Sequence, residues 1–473
     1  MKYEQTLPHA PLPEREFGST PPLFEEGSMN DLPPLERGTG GVFWNSLGLR
    51  FQKFLPLACI LLLPWQTRWI ISQGILANSF WEYGTLSLYV TDAVLVVMLI
   101  AFGFFLAKKK KKRLRRSSSI WLFLLVLWIL VSSFWAPSFQ VSFAHALLFI
   151  EGVLLFFMIS LVPMNQRHLF WAWVIGGLIQ AMFAVLQFLT QFSPESTLLG
   201  LAPHAPWQLG DSVIEISSGR FLRAYGSFPH PNILGGFLIV SLMSVIGLLK
   251  ERPLLWQRML LWISVPIMIA GLFFTFSRSA WLGFLVALSF FFVLEGGIQI
   301  RKQKRFFILL IFSMAVSVFS LSWIFSEIFS VRFQGHARLE QMSLEERLQS
   351  YHDAEVLFSQ HPVTGIGIGS FTQAIFQLDP SREAWQYQPV HMVWVLLLVE
   401  TGVIGVVLFL NFLFSKLKEI ASGEIKSNVT FLSVLFGLGA ISFLDHYLWS
   451  LHVGVLLFWL VLGLSLRSGE HGQ

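Results

Sequence analysis

Long runs of apolar residues, separated by short charged or Pro/Gly-rich breaks, occupy most of the chain after about residue 50. A helix needs roughly 20 apolar residues to cross the hydrocarbon core of a bilayer, and this length divides the pattern into about twelve helices. We therefore predict an all-α, polytopic membrane protein. The predicted spans are residues 51–66, 85–106, 118–135, 141–162, 168–190, 230–249, 257–276, 280–298, 306–325, 391–413, 428–444 and 447–466.

Residues 1–50 have a different pattern, with repeated prolines, glycines and acidic residues and few apolar side chains. Such a segment buries too little apolar surface to offset the conformational entropy lost on folding. We predict a disordered cytoplasmic tail without a cleaved signal peptide. The predicted transmembrane domain covers residues 51–466, and a second short cytoplasmic tail covers residues 467–473.

Composition agrees with this class of protein. The chain has 473 residues, of which 54% are hydrophobic and 13% charged, and its mean hydropathy is +0.63. Soluble domains carry a much larger charged fraction. The single cysteine, Cys59, excludes an intrachain disulfide, and redox chemistry is not expected.

The distribution of Lys and Arg predicts the orientation of the chain in the membrane. Basic clusters at residues 108–116, 250–258, 301–305 and 416–426 fall on one side of the predicted spans, which the positive-inside rule assigns to the cytoplasm. The largest loop on the opposite, extracytoplasmic side covers residues 326–390, between the ninth and tenth spans. Within it, Ser343 and Glu346 have the spacing of a capping box, so we predict that a short amphipathic helix begins there and ends before Pro362.

Three arginines, Arg220, Arg223 and Arg278, fall on the extracytoplasmic side, from which the positive-inside rule normally excludes them. Each alone could be an interfacial residue or the partner of a loop carboxylate. The three together favour an anionic ligand on this side.

Four motifs carry a resemblance to a known family. They are RAYGSFPHPNILG at residues 223–235, TFSRSAWLG at 275–283, HPVTGIGIGSF at 361–371, and His391 followed by ETGVIG at 400–405. In order and spacing they resemble the O-antigen ligase/polymerase family over residues from about 50 to 466. The family assignment does not distinguish a ligase from a polymerase.

The resemblance implies a membrane-embedded glycosyltransferase of the GT-C type in the bacterial cytoplasmic membrane. Its donor would be a glycan linked to a polyprenyl diphosphate, and its reaction would occur on the extracytoplasmic face. Arginine binds phosphate oxygens through two parallel hydrogen bonds and stays protonated, so we expect Arg223 and Arg278 to bind the diphosphate leaving group. Arg220 is a second candidate, and Asn232 is expected to contact substrate. We expect no metal and no other cofactor.

His391 matches the position of the functional histidine of this family. Its ordinary pKa, near 6.5, suits proton transfer to or from an acceptor hydroxyl near neutral pH. Family members often have asparagine after this histidine, whereas this chain has Met392. The alternative is an interfacial histidine that bonds a loop carbonyl.

Two further segments have more than one interpretation. The glycines of residues 365–369 superficially resemble a phosphate-binding loop, but no strand precedes them, and we favour a tight turn that packs the loop on the membrane helices. Residues 445–447, with the sequence Asp-His-Tyr, either line the cavity or form a charged turn between the last two spans.

The expected acceptor is a glycolipid, as in a ligase that uses the lipid A-core, another glycan chain, as in a polymerase, or a protein. The expected partners are therefore the lipid-linked donor, one of these acceptors and the lipid bilayer, with no nucleic acid. A more distant alternative is a transporter of polyprenyl-linked glycans. The absence of a convincing internal repeat and the concentration of polar groups at the outer ends of the spans favour an enzyme.

Overall fold

The computed structural model describes residues 54–108, 116–162, 164–251, 253–296, 301–335, 338–422 and 428–467. The tail predicted at residues 1–50 lies outside the described residues, as does the tail at 467–473 except for its first residue. Of the described residues, 71% are in helices. The α-helices are α1 (Val90–Lys108), α2 (Arg116–Ser132), α3 (Phe139–Leu161), α4 (Gln166–Thr190), α5 (Pro231–Lys250), α6 (Leu255–Phe274), α7 (Arg278–Glu295), α8 (Lys304–Ile324), α9 (Ser326–Gln334), α10 (Arg338–Gln360), α11 (Phe371–Leu378), α12 (Val393–Ala421), α13 (Val429–Ser442), α14 (Tyr447–Ser450) and α15 (His452–Ser465).

Seven of these helices are long and apolar enough to cross a membrane by length and composition: α3, α4, α5, α6, α7, α8 and α12. Shorter apolar helical segments cover Val90–Phe104, Ile120–Trp135, Val429–Ser442 and His452–Ser465. The chain is thus a multi-pass helical membrane protein, as the hydropathy pattern predicted. The number of twelve spans stays a prediction.

Six short strands in the described part of the chain depart from the all-α prediction. They form three two-stranded antiparallel sheets. Short strands between long apolar runs give no sustained alternation of polar and apolar residues, so the sequence pattern did not reveal them. The strand pairs are β1 (Arg68–Ser72) with β4 (Leu86–Tyr89), β2 (Ile75–Leu76) with β3 (Ser79–Phe80), and β5 (Val213–Ile216) with β6 (Gly219–Leu222).

Helix α5 lies at the centre of the helical bundle. In its most apolar stretch 94% of the residues are buried, and it contacts α4, α6, α7 and α13. Small residues allow this close packing, since a Cβ atom added to Gly235 of α5 would lie 2.5 Å from the Cβ of Ala280 in α7. The bundle therefore holds the first turn of α5, which begins with Pro231 and Asn232, in a fixed position.

The segment between α8 and α12 contains α9, α10, α11 and a 3-10 helix at Ala384–Gln386. Helix α10 begins at Arg338, five residues before the predicted capping box at Ser343, so that prediction of the helix start is wrong. Residues 338–342, Arg-Leu-Glu-Gln-Met, all have high helix propensity and extend the helix through the capping-box spacing. The predicted end before Pro362 is confirmed.

Helix α12 is broken at Gly402, whose backbone has φ 66° and ψ −176°. The break leaves backbone groups without partners inside the helix, and the preceding loop pairs with them. The N–H of Ile366 donates to the carbonyl of Val399 at 3.0 Å, and the N–H of Val403 donates to the carbonyl of Pro362 at 3.0 Å. The loop is therefore attached to α12 by backbone hydrogen bonds.

The glycines of the 365–369 segment allow this attachment. Gly365, Gly367 and Gly369 all have positive φ, at 69°, 96° and 70°, a conformation that other residues adopt only with strain. A Cβ atom on Gly365 would lie 2.4 Å from the carbonyl oxygen of Glu400 in α12. The structure confirms that this segment is a tight turn packed on a membrane helix.

Candidate functional site

A polar cavity of about 440 Å³ lies at one end of the bundle, and we call it the central cavity. Several of the predicted segments meet there although they are far apart in sequence. Its walls come from residues 66–89, 193–204, 226–233 and 445–453, with Gln388 and His391.

Arg223 lies buried behind the wall of this cavity, with 7% of its surface exposed. Its Nε donates to the carbonyl of Thr275 at 2.8 Å, and its Nη2 donates to Oδ1 of Asn232 at 2.7 Å. Among the described residues it makes no ion pair with a carboxylate. Burial, together with the charge of Arg332, lowers the pKa of Arg223 to about 9. The site therefore holds a guanidinium whose charge is not neutralised by direct contact.

Asn232 connects Arg223 to Asp445, which lines the central cavity. Its Oδ1 accepts from Arg223, and its Nδ2 donates to Oδ2 of Asp445 at 2.6 Å. The side chain amide is thus fixed in one orientation by a donor on one side and an acceptor on the other. The prediction that Asn232 contacts substrate stays a prediction.

Arg278 is the first residue of α7, after the N-cap Ser277, whose Oγ accepts from the N–H of Ala280. Its Nη2 lies 3.3 Å from Oε2 of Glu340, and 45% of the side chain is exposed. Arg332 binds the other carboxylate oxygen of Glu340, and its Nε donates to the carbonyl of Phe276 at 3.0 Å. Two guanidinium groups therefore share one carboxylate. Arg278 does not line the central cavity.

His391 lines the central cavity just before α12. Neither of its ring nitrogens makes a hydrogen bond to another described residue, and Nδ1 is buried. Its ring lies 5.1 Å from the ring of His446, measured between centroids. Burial, with the charge of His446, lowers the pKa of His391 from 6.5 to about 3. Burial thus moves the pKa of His391 below neutral pH, and its role in proton transfer stays a prediction.

Asp445 and His446 accompany His391 in the cavity wall, and they also lie in the turn between α13 and α14, so the two alternatives for residues 445–447 are both met. Nδ1 of His446 lies 2.6 Å from Oγ of Ser450, so the other ring nitrogen remains available. One ligand atom each from His391, Asp445 and His446 lies within 4.8 Å of the other two. Imidazole and carboxylate groups at this spacing could hold a divalent cation. The expectation that no metal takes part stays a prediction.

Arg220 is the third predicted arginine, and like Arg223 and Arg278 it does not line the central cavity. It belongs to β6, opposite Glu215 of β5, and Glu215 forms an ion pair with Arg338 at 3.2 Å. Nε of Arg220 is buried without a hydrogen-bond partner among the described residues. The structure does not bring Arg220 to the central cavity.

A second group of titratable side chains includes His452, which also lines the central cavity. Nε2 of His452 lies 2.6 Å from Oδ1 of Asp92 and 3.9 Å from Oε2 of Glu151. The ring of Tyr89 stacks on His452 at 4.0 Å between centroids. We call Asp92, Glu151 and His452 the second cluster. Sequence reasoning missed it because its members are distant in the sequence and share no motif.

Arg332 was also missed, although one signal could have found it. It lies in the loop predicted to be extracytoplasmic, where the positive-inside rule makes arginine unusual, just as for Arg278. The pairing of both arginines with Glu340 depends on how α7, α9 and α10 pack together, which the sequence pattern does not give.

The fold and this site define a multi-pass helical membrane protein with a buried cluster of arginine, histidine and carboxylate groups at one end of its bundle. Residues 263–410 match the family model described as O-antigen ligase, and this match confirms the predicted resemblance. The matched part includes Arg278, Arg332 and His391, whereas Arg223, Asn232 and Asp445 lie outside it. The family implies a glycosyltransferase-like membrane enzyme of the O-antigen ligase or polymerase kind. No curated protein matches the chain.

Proposed function

We propose that this protein transfers a glycan from a polyprenyl-diphosphate donor to an acceptor hydroxyl on the extracytoplasmic face of the bacterial cytoplasmic membrane. The observation that carries the proposal is Arg223, a buried guanidinium beside the central cavity with no carboxylate partner among the described residues. Burying a charge without a counter-ion is costly. A diphosphate bound beside it would supply the missing negative charge.

In the proposed reaction the acceptor oxygen attacks C1 of the first sugar of the donor. The bond between C1 and the phosphate oxygen breaks, and the polyprenyl diphosphate leaves with the electron pair. Negative charge grows on the diphosphate as this bond breaks, so fixed arginines stabilise the transition state more than the bound donor. We assign this role to Arg223 and Arg278, with Arg332 beside them. Arg220 is the second candidate for the same role.

The proton of the acceptor hydroxyl needs a recipient. His391 is neutral, lines the central cavity, and has a ring nitrogen with no hydrogen-bond partner among the described residues. We assign it the role of a group that orients the hydroxyl and accepts its proton late, when the oxygen bonds to C1 and becomes strongly acidic. Asn232 holds Arg223 in place and contacts the donor. We propose a GT-C-type reaction that needs no metal, because the arginines carry the charge stabilisation.

The matching family model is described as O-antigen ligase. The ligase type of the reaction, with the lipid A-core as acceptor, is therefore the first candidate. The polymerase type and the protein-directed type share the donor chemistry and differ only in the acceptor. The transporter alternative predicts movement of the donor across the membrane without a new glycosidic bond.

The test is a transfer assay with purified protein, a defined polyprenyl-diphosphate glycan and a set of candidate acceptors, followed by mass spectrometry of the products. We expect a product in which the glycan is joined to an acceptor hydroxyl, together with free polyprenyl diphosphate. Arg223→Lys should reduce the formation of this product. The matched control is Arg305→Lys, because Arg305 is an exposed arginine of the basic cluster at residues 301–305. Donor translocation into vesicles without any product would support the transporter instead.

A further inference from the structure

A second polar cavity, of about 460 Å³, lies between α10 and the segment that leads into α12, and we call it the loop cavity. It shares two lining residues, Gln388 and His391, with the central cavity. The imidazole of His391 therefore faces two compartments. A transfer reaction needs such an arrangement, since donor and acceptor must reach one point from different sides.

The lining of the loop cavity carries more acidic than basic groups. Arg382 is its single basic residue, and it is already paired with Asp353 at 2.6 Å and with Asp379 at 3.0 Å. Glu345 and Glu346 also line the cavity, are exposed, and make no ion pair with another described residue. The lining thus carries a net negative formal charge, which disfavours an acceptor with phosphate or carboxylate groups near its reacting hydroxyl.

The remaining lining groups suit a neutral sugar. Trp385 exposes 52% of its surface and lines the cavity, and amide groups come from Gln349, Gln386 and Gln388. Carboxylate oxygens that are not in ion pairs can accept hydrogen bonds from sugar hydroxyls, and amides can both donate and accept them. Nδ1 of His391, which is buried without a partner among the described residues, is available beside these groups.

We infer that the loop cavity binds the acceptor and that the acceptor is an uncharged glycan chain, presented with a hydroxyl towards His391. This inference rests on the proposed function and narrows it, because it favours a neutral glycan over the phosphorylated lipid A-core. Glu345 and Glu346 select against anionic acceptors, and Trp385 supports the sugar ring.

The experiment compares two acceptor oligosaccharides of identical sugar sequence in the purified full-length protein, one with hydroxyl groups only and one with a phosphate ester on the sugar next to the reacting one. With a polyprenyl-diphosphate glycan as donor, we expect the KM of the uncharged acceptor to be lower by about tenfold or more. In the Glu345→Gln/Glu346→Gln double variant, the KM of the phosphorylated acceptor should fall severalfold, and the KM of the uncharged one should rise.

Glu355→Gln provides the matched control, because Glu355 is an exposed glutamate of the same helix that does not line the cavity. Trp385→Ala should raise the KM of the uncharged acceptor about tenfold with little change in kcat, and Trp385→Phe should restore most of the affinity. Trp323→Ala, at an exposed tryptophan of α8, is the corresponding control.

The outcomes distinguish failure of the inference about the acceptor from failure of the proposed function. Equal or better use of the phosphorylated acceptor, or no change in KM with the double variant, would overturn the inference while leaving glycan transfer intact. If neither acceptor is glycosylated and no polyprenyl diphosphate is released with any acceptor offered, the proposed function fails and the inference fails with it.

Discussion

Two groups of histidine and carboxylate side chains each contribute residues to the lining of the central cavity, and they differ in how their histidines are paired. In the second cluster, Nε2 of His452 is held by Asp92 at 2.6 Å and its ring is stacked on Tyr89. Nδ1 of both histidines is buried without a partner among the described residues, but His391, unlike His452, makes no hydrogen bond to another described residue through either ring nitrogen. Buried polar groups are usually hydrogen-bonded, so a histidine that is paired through neither nitrogen and lines two cavities fits the substrate contact that we propose for His391.

The comparison separates a structural role from a chemical one. A histidine held by a carboxylate and an aromatic ring stabilises the packing of the elements that it joins. His452 of α15 lies beside Asp92 of α1 and Glu151 of α3, so these contacts join three helices. A histidine with free nitrogens between two cavities can exchange a proton with a bound molecule. The predictions below test this distinction, beginning with the largest expected effect.

Replacement of His391 should have the largest effect on turnover. We expect His391→Ala to lower kcat by roughly a thousandfold, in the range of general base catalysis, while donor binding is retained. The measurement is single-turnover kinetics alongside a donor-binding isotherm. His352→Ala, at an exposed histidine of α10, is the control. Wild-type turnover in His391→Ala would make this histidine structural and remove the distinction between the two groups.

Replacement of the arginines should have the next largest effects, and the loss in kcat should be larger for the more deeply buried arginine. Arg223→Lys keeps the charge but loses the contacts to Thr275 and Asn232, so we expect a loss in kcat of about a hundredfold. Arg278 is half exposed and already paired with Glu340, so we expect about a tenfold loss in Arg278→Lys. Kinetics on detergent-purified variants with verified membrane insertion provide the measurement. A larger loss at Arg278 than at Arg223 would contradict the assignment of Arg223 as the principal diphosphate ligand.

The second cluster should affect stability more than turnover. His452→Ala leaves the carboxylates of Asp92 and Glu151 close together without their imidazole partner, and we expect it to lower the free energy of unfolding by about 3 kcal/mol. A thermal unfolding scan measures this change. Turnover measured well below the unfolding temperature should stay within about tenfold of wild type, less than the loss expected for one catalytic donor. A loss of turnover as large as that of His391→Ala would assign the second cluster to the chemistry.

The pKa of His391 predicts a pH profile. Its folded-state pKa is about 3 and its ordinary value is 6.5, so below pH 6.5 the unfolded chain binds a proton that the folded chain does not. Stability should therefore fall as the pH drops from about 6.5 towards 3, with no contribution from this group above 6.5. Turnover should show no inflection near pH 6.5. An inflection there that disappears in His391→Ala would show that this histidine titrates at its ordinary pKa.

Chelation should have the smallest effect. If the arginines alone stabilise the leaving group, turnover in excess EDTA should equal turnover in buffer. The grouping of His391, Asp445 and His446 makes this measurement informative, because these side chains could hold a divalent cation. A loss that Mg²⁺, Mn²⁺ or Zn²⁺ restores would replace the arginine-only account with a metal-assisted one.

Local features of this protein were predictable from sequence, and long-range pairings were not. Hydropathy located the apolar helices, and the glycines of residues 365–369 indicated the turn that docks on α12. Arg223, Asn232 and His391 were found because short motifs contain them. The link from Asn232 to Asp445 joins residues 213 positions apart, and the shared contact of Arg278 and Arg332 with Glu340 joins three helices. Such contacts depend on tertiary packing, which neither periodicity nor spacing determines.

The break of α12 at Gly402 has a consequence for how the protein is made. The loop backbone at residues 362–367 pairs with residues 399–404, which leave the ribosome later. The loop therefore cannot complete its attachment until the following apolar segment has been synthesised and inserted. Biogenesis of this half of the molecule should be ordered, with the loop cavity and the position of His391 formed only after α12 has entered the membrane.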